Sequence, residues 1–356
     1  WLQECRVPHW ERGKNEAAWY TVKGGSAKIK LNILALGNSV GTGPAGVTLP
    51  AILVNDFSDL EAKKDQLKGK LVVYNNVFDN SLPETFMAYG IDGAYRRSGP
   101  SRAAKYGAKA VLIRSISGST DNYPHTGSTS YDTSLPKIPA AAMGLQDADK
   151  LIALLKAGKE VSVFYRSNAE TLPDAVGHNV IGELTGSAFP DQYITVGGHL
   201  DSWDPAEGAH DDGTGCVHAI EVLRALKAMG YTPRHTIRVV LFANEENGLR
   251  GGRKYAEEAK AKGEKHVFAL ESDAGGFTPR GFSVSLPPAK LAKWDAWVPL
   301  LEPYGVYRFV SGGGGADVNP LNVSLGTAVA ELMPDGARYF DIHHTPDDVF
   351  ENVNKR

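Results

Sequence analysis

The sequence predicts an α/β fold with a largely parallel sheet, and three features carry that prediction. Apolar runs at 193–196, 237–242 and 267–270 have the length of buried strands. Between the first two, residues 213–230 place Cys216, Ile220, Leu223 and Leu226 at helical spacing and stop at Gly230. All three runs lead into acidic residues or a histidine, and open α/β sheets carry their sites beyond the strand ends.

The chain has 356 residues, 42% hydrophobic and 22% charged, enough for two domains or one elaborated domain. The net charge is −3 with no long basic run, so there is no electrostatic case for nucleic acid or an anionic membrane surface. No apolar stretch reaches the length of a membrane span. Two cysteines, Cys5 and Cys216, cannot build a disulfide framework, and no CxxC is present for zinc. Cys216, on the apolar side of the expected helix, reads as core packing. So few cysteines suit the cytosol and the bacterial periplasm equally. The chain opens at Trp1 and stops at Arg356 just after its last motif, so it is expected to be a trimmed piece.

Residues 47–168 differ in texture. Short strands are expected at 71–74, 110–113 and 161–165, helices at 101–106 and 147–155, and a Gly/Ser/Thr/Asp-rich loop at 117–137. This segment supplies no metal-ligand candidate and reads as an inserted domain. Its loop, with Tyr123 and His125, is expected to shape substrate access, or failing that to form a partner or dimer surface. The alternation Ile29, Leu31, Ile33, Ala35 assigns 28–36 to the sheet of the main domain. The expected division is therefore 1–46 main domain, 47–168 insert, 169–356 main domain.

Five side chains read as one dinuclear zinc site: His199, Asp211, Glu246, Asp273 and a histidine of the pair His343-His344. Two nitrogens and three carboxylates suit zinc, and one bridging carboxylate lets five side chains hold two ions. Asp211, at the mouth of the expected helix, is the candidate bridge, and Asp273 joins His199 on one metal. In Asn244-Glu245-Glu246, extended backbone would turn the two glutamates to opposite sides, one to metal and Glu245 to substrate as a base. Asp201, two residues beyond His199, faces the same way and is expected to orient its imidazole. The combination points to metal-assisted hydrolysis. The glycine run 312–315 lacks the Lys-Ser/Thr of a phosphate loop and reads as a flexible wall with Asp317 behind it.

Several segments then carry a resemblance: Arg6-Val7-Pro8-His9-Trp10-Glu11-Arg12-Gly13, Pro124-His125-Thr126-Gly127, Pro136-Lys137-Ile138-Pro139, Gly198-His199-Leu200-Asp201-Ser202-Trp203-Asp204, Glu271-Ser272-Asp273-Ala274-Gly275 and His343-His344. In this order the sequence resembles the M28 family of zinc peptidases, and within it the plasma glutamate carboxypeptidase group. The resemblance implies a phosphorylase/hydrolase-like three-layer sandwich with a mixed, largely parallel sheet and an inserted protease-associated domain. It implies one zinc on His199, Asp211 and Asp273, a second on Asp211, Glu246 and His344, Glu245 as general base and a cis peptide at Asp211-Asp212. His343 stands where many relatives have an oxyanion-stabilising tyrosine. The implied function is a secreted or periplasmic co-catalytic dizinc exopeptidase that hydrolyses dipeptides or short peptides with a metal-activated water. Aminopeptidase specificity, an amidohydrolase acting on a non-peptide amide, and a non-catalytic receptor-like module are the alternatives. A homodimer is the one protein partner considered.

Overall fold

The apolar runs fold as strands of two separate eight-stranded sheets in a computed structural model that describes residues 1–354. Two compact units result. The first comprises Trp1–Val7, Asp174–Tyr339 and the described residues from Pro346 to Asn354; the second comprises Pro8–Pro173 and Phe340–Thr345.

Strand β1 (Leu2–Glu11) starts in the sheet of the first unit. The second unit then contributes β2 (Ala17–Val22), β3 (Ile29–Leu31), β4 (Ile33–Ala35), β5 (Val47–Val54), β6 (Leu71–Tyr74), β7 (Ala110–Arg114), β8 (Ala140–Met143) and β9 (Val161–Arg166). Its helices are α1 (Phe57–Ala62), α2 (Thr85–Arg97), α3 (Gly99–Ala104) and α4 (Leu145–Lys156). The strand order is β3-β2-β9-β5-β6-β7-β8-β4. Two stretches change partners midway. In β5, residues Val47–Pro50 pair antiparallel with β9, whereas Ala51–Val54 pair parallel with β6. Likewise β3 pairs with β2 and β4 with β8, so the two terminal strands are halves of one stretch bent at Asn32. The bend is held by Asp147, whose carboxylate accepts from the Asn32 amide at 2.9 Å. Leu31, Val73, Leu112, Met143, Leu151 and Val163 fill the core.

This overturns the assignment of 28–36 to the main-domain sheet, and the insert is larger than 47–168. Alternation reveals a strand but not its partner, and Leu31 and Ile33 bury against Ala18, Tyr20 and Met143. The unit also takes Phe340–Thr345 from the far end of the sequence. Phe340 is 2% exposed and packs on α2, with its ring 4.5 Å from Tyr89 and 4.8 Å from Phe86. His125 is only 2% exposed, so it is a core residue of this unit and not a group on a loop surface.

In the first unit, β10 (Glu170–Leu184) brings the chain back and leads to β11 (Phe189–His199), helix α5 (Thr214–Ala228), β12 (His235–Phe242), helix α6 (Arg250–Lys262) and β13 (Lys265–Glu271). Then follow β14 (Pro279–Val284), β15 (Arg308–Ser311) and β16 (Ala328–Pro334). The order is β1-β10-β12-β11-β13-β16-β14-β15, mixed overall, with β12, β11, β13 and β16 parallel. Strand β12 lies on one side of β11 and β13 on the other, so the crossovers place α5 and α6 on opposite faces. Alternation along β12 serves both: Val239 and Leu241 meet Cys216 and Ala219 of α5, while Val240 and Phe242 meet Tyr255, Ala256 and Ala259 of α6. Ile220, expected on the buried side of α5, is 50% exposed; Ala219, Val222 and Leu223 take that role. The direction of winding reverses at β11, which makes the end of β11 a topological switch point.

Candidate metal centre

The end of β11 is His199, and the two glycines before it are required by packing. A Cβ on Gly198 would stand 2.5 Å from Asp212 Oδ2 and 2.8 Å from the Gly215 carbonyl carbon. Helix α5 can therefore start directly against the strand. The Asp212 carboxylate is consumed in joining them: Oδ2 accepts from the His199 amide at 2.9 Å and Oδ1 from the Gly215 amide at 3.0 Å, closing the helix N-terminus. Its neighbour Asp211 has other work. Asp211 Oδ1 lies 3.2 Å from His199 Nε2, and Asp273 Oδ1 lies at the same 3.2 Å. The Asp211-Asp212 peptide is cis.

The other imidazole nitrogen is committed. His199 Nδ1 is 2.8 Å from the carbonyl oxygen of Asp201, which can only accept, so Nδ1 carries a hydrogen and Nε2 is the nitrogen turned toward the two carboxylates. The orienting atom is thus the backbone oxygen of Asp201 and not its carboxylate, which stands 3.9 Å off. That carboxylate is used elsewhere: Oδ1 accepts from the Glu245 amide at 3.0 Å and Oδ2 from the Glu246 amide at 3.2 Å. Glu245 and Glu246 sit on a turn after β12, entered through Asn244 at φ 64°, and not on the extended backbone expected of them. Asp201 clamps that turn.

Two contributors, Asp348 and Tyr339, were not singled out as site residues by their sequence setting. Asp348 is 3% exposed, and its carboxylate accepts from the His210 amide at 2.6 Å and the Asp211 amide at 3.1 Å. Only its place four residues past His344 hints at this. Tyr339 is 3% exposed, and its ring backs Gly275, the αL residue at φ 85° in the turn after Asp273. Burial, then Asp211 and Asp273, push its phenol well above the ordinary range. Glu271 Oε2 accepts from the Asp317 and Val318 amides at 2.9 and 2.8 Å, which ties down the end of the glycine run expected to be a flexible wall.

The centre is dominated by acid. Burial and the nearby Asp273 push the Glu245 and Asp212 carboxyls well above their usual range and Glu271 to about 7. Burial opposes charge on His199, but Asp273 and Asp211 outweigh it and hold its pKa well above the ordinary value. Carboxylates gathered in a poorly hydrated site need compensating positive charge, and oxygens around an imidazole nitrogen are a donor set for a divalent ion of the zinc type. His199, Asp212 and Asp273 form one group with ligand atoms mutually within 4.8 Å. Both oxygens of Asp212 already hold backbone amides, so Asp211 is the better third donor. His343 and His344 belong to the second unit, where their rings stack at 3.4 Å.

A switch-point site of histidine and carboxylates on a mixed sheet defines the protein as a metal-dependent α/β enzyme. Residues 179–356 match the family described as Peptidase family M28. The chain is 35% identical to human Carboxypeptidase Q over 347 residues, 98% of this chain and 71% of that one. Carboxypeptidase Q of Xenopus laevis is 36% identical over 348 residues, with the same coverage. The crystal structure of a Peptidase M28 precursor from Shewanella amazonensis SB2B matches with a TM-score of 0.89 at 34% identity, covering 99% of this chain and 79% of that one. BSAP, a zinc aminopeptidase from Bacillus subtilis, has the same fold at 20% identity and a TM-score of 0.66, over 99% of this chain and 80% of its own. The chain belongs to peptidase family M28 and is a metallopeptidase. Among the described residues, no helix is long and apolar enough to cross a membrane.

Proposed function

We propose that this metallopeptidase is a co-catalytic dizinc exopeptidase that cleaves dipeptides or short peptides. His199, Asp211 and Asp273 would hold one ion, and Asp211, Glu246 and His344 the other. The single observation that carries the reading is the pair of 3.2 Å approaches of Asp211 and Asp273 to a His199 Nε2 whose partner nitrogen is already bonded. Two bound zinc ions supply Lewis acidity at the scissile carbonyl and lower the pKa of water. The chain supplies the rest. Glu245 takes a proton from the attacking water and later returns it to the leaving amine, a duty helped by a carboxyl that holds its proton more tightly than usual. His343 donates to the oxyanion. Asp201 keeps Glu245 and Glu246 in a fixed turn, so that base and ligand stay in register. The second unit acts as the protease-associated insert.

Glu245→Gln is expected to retain both zincs and lose about 10²–10⁴-fold in kcat. Glu246→Gln should lose zinc as well. Near-normal turnover in Glu245→Gln would refute the assignment. Carboxypeptidase Q, the name of the relatives at 35–36% identity, favours cleavage beside a free carboxylate, whereas the aminopeptidase likeness extends to fold alone. Dipeptides, N-blocked dipeptides and peptide amides separate these: loss of turnover on blocking the amine indicates an aminopeptidase.

A further inference from the structure

The Pro124-His125-Thr126-Gly127 segment has no part in the chemistry above, yet hydrogen bonds fasten it within the second unit. The His125 amide donates to Ser115 Oγ at 2.9 Å, and the Thr126 hydroxyl donates to the Ala35 carbonyl at 2.8 Å. What these bonds fix is the Thr126 peptide, which meets His344 twice. The Thr126 amide donates to the His344 carbonyl at 3.3 Å, and the Thr126 carbonyl lies 3.1 Å from His344 Nδ1. The same carbonyl accepts from Arg96 Nη1 at 3.2 Å. Arg96 is 6% exposed, lies beneath Gly127 so closely that a Cβ there would strike its guanidinium, and donates its other arm to the Tyr89 hydroxyl. Tyr89 in turn packs edge-on against His343 at 5.0 Å. His344 itself has a φ of 62°, in the left-handed region that non-glycine residues occupy uncommonly.

A carbonyl oxygen only accepts, so the 3.1 Å contact puts the hydrogen of His344 on Nδ1 and leaves its lone pair on Nε2. We infer that Arg96 and the Thr126 carbonyl are positioning elements that present His344 to metal through Nε2, so that the insert sets the geometry of a zinc ligand. The inference rests on the reading of His344 as a ligand. It gives the insert a defined duty in metal binding: a residue in the middle of the sequence orients a ligand near its end. His199 is held the same way, by the Asp201 carbonyl, so both imidazoles rely on backbone oxygens that no side-chain substitution removes directly.

Zinc per chain is counted after equilibration of the purified protein with graded zinc and a competing chelator, for wild type, His344→Ala and Arg96→Met. Methionine keeps the unbranched apolar stem of Arg96 and removes its donors. His344→Ala should lose one of two zincs. Arg96→Met should keep its fold by circular dichroism and bind that same zinc about 10- to 100-fold more weakly, with the other unchanged. If His344→Ala retains both zincs, the ligand reading fails. If it loses one while Arg96→Met binds both as wild type does, the positioning role fails and the ligand reading stands. Nitrogen-15 NMR of metal-free wild type labelled at histidine decides the matter should Arg96→Met not fold. The resonance that disappears in His344→Ala should report hydrogen on Nδ1, and hydrogen on Nε2 overturns the inference.

Discussion

Asp201 illustrates how far a single residue can depart from the duty its spacing suggests. Two residues beyond a histidine on a strand, it was expected to grip the imidazole with its carboxylate; the strand has ended, and the backbone oxygen grips instead. Asp201→Asn should therefore leave zinc on His199 intact and lower kcat by roughly 10-fold or more by loosening the Glu245–Glu246 turn. Loss of the His199 zinc in step with activity would contradict this. Asp92 offers a second test at this scale, away from the metal residues. Burial, with Asp79 nearby, raises its carboxyl to about 6. A folded pKa above the unfolded one means the native state holds its proton longer. Stability then falls as pH rises from about 4 to about 6 and stays lower above that. Asp92→Asn should accordingly be more stable than wild type by about 2–3 kcal/mol at pH 7.5 and close to it at pH 4. Chemical denaturation at the two pH values checks the sign.

The elements were legible where a period was strong and the flanks were marked. Strand β6 has the bounds its apolar run suggests, and β12 and α5 lie within two residues of theirs. The helix α2 was not foreseen, because Phe86, Met87 and Ile91 are left 41–64% exposed and spoil an amphipathic pattern. Glycines around the site reveal another limit. Gly215 and Gly90 are equivalent as letters, but a Cβ on Gly215 would overlap the Ser272 carbonyl oxygen, whereas Gly90 on α2 faces open space. Gly215→Ala should destabilise the protein by about 3 kcal/mol or more. Gly90→Ala should stabilise it by about 0.5–1 kcal/mol. Thermal melts of the two variants give opposite signs if the packing of α5 on β11 is as described.

At the scale of the whole molecule, the family was easier to read than the partition of the chain. Ligand types are named by their chemistry, and glycines and strand ends mark their places. Membership of a unit depends on partners that lie far along the sequence. Ala17–Val22 joins the second unit by pairing with Val161–Arg166, and Phe340 does so by packing on α2. Neither link has a local signature. Zinc should couple to stability. With its acid-rich centre stripped by chelator, the protein should melt earlier, and free zinc at about 100 times its Kd should restore about 2.7 kcal/mol per site. A melting temperature indifferent to zinc would argue against a buried metal centre.

The bend at Asn32 has a consequence for association. A sheet that ends in long, straight strands exposes rows of amides and carbonyls on which another chain can add. In the second unit the terminal positions belong to Ile29–Leu31 and Ile33–Ala35, three residues each, and the stretch turns from one partner to the other at Asn32. Where β5 changes partners, Pro50 removes one donor. The unit thus presents only short, interrupted edges, a poor template for strand addition, and should resist growth into fibres even when concentrated.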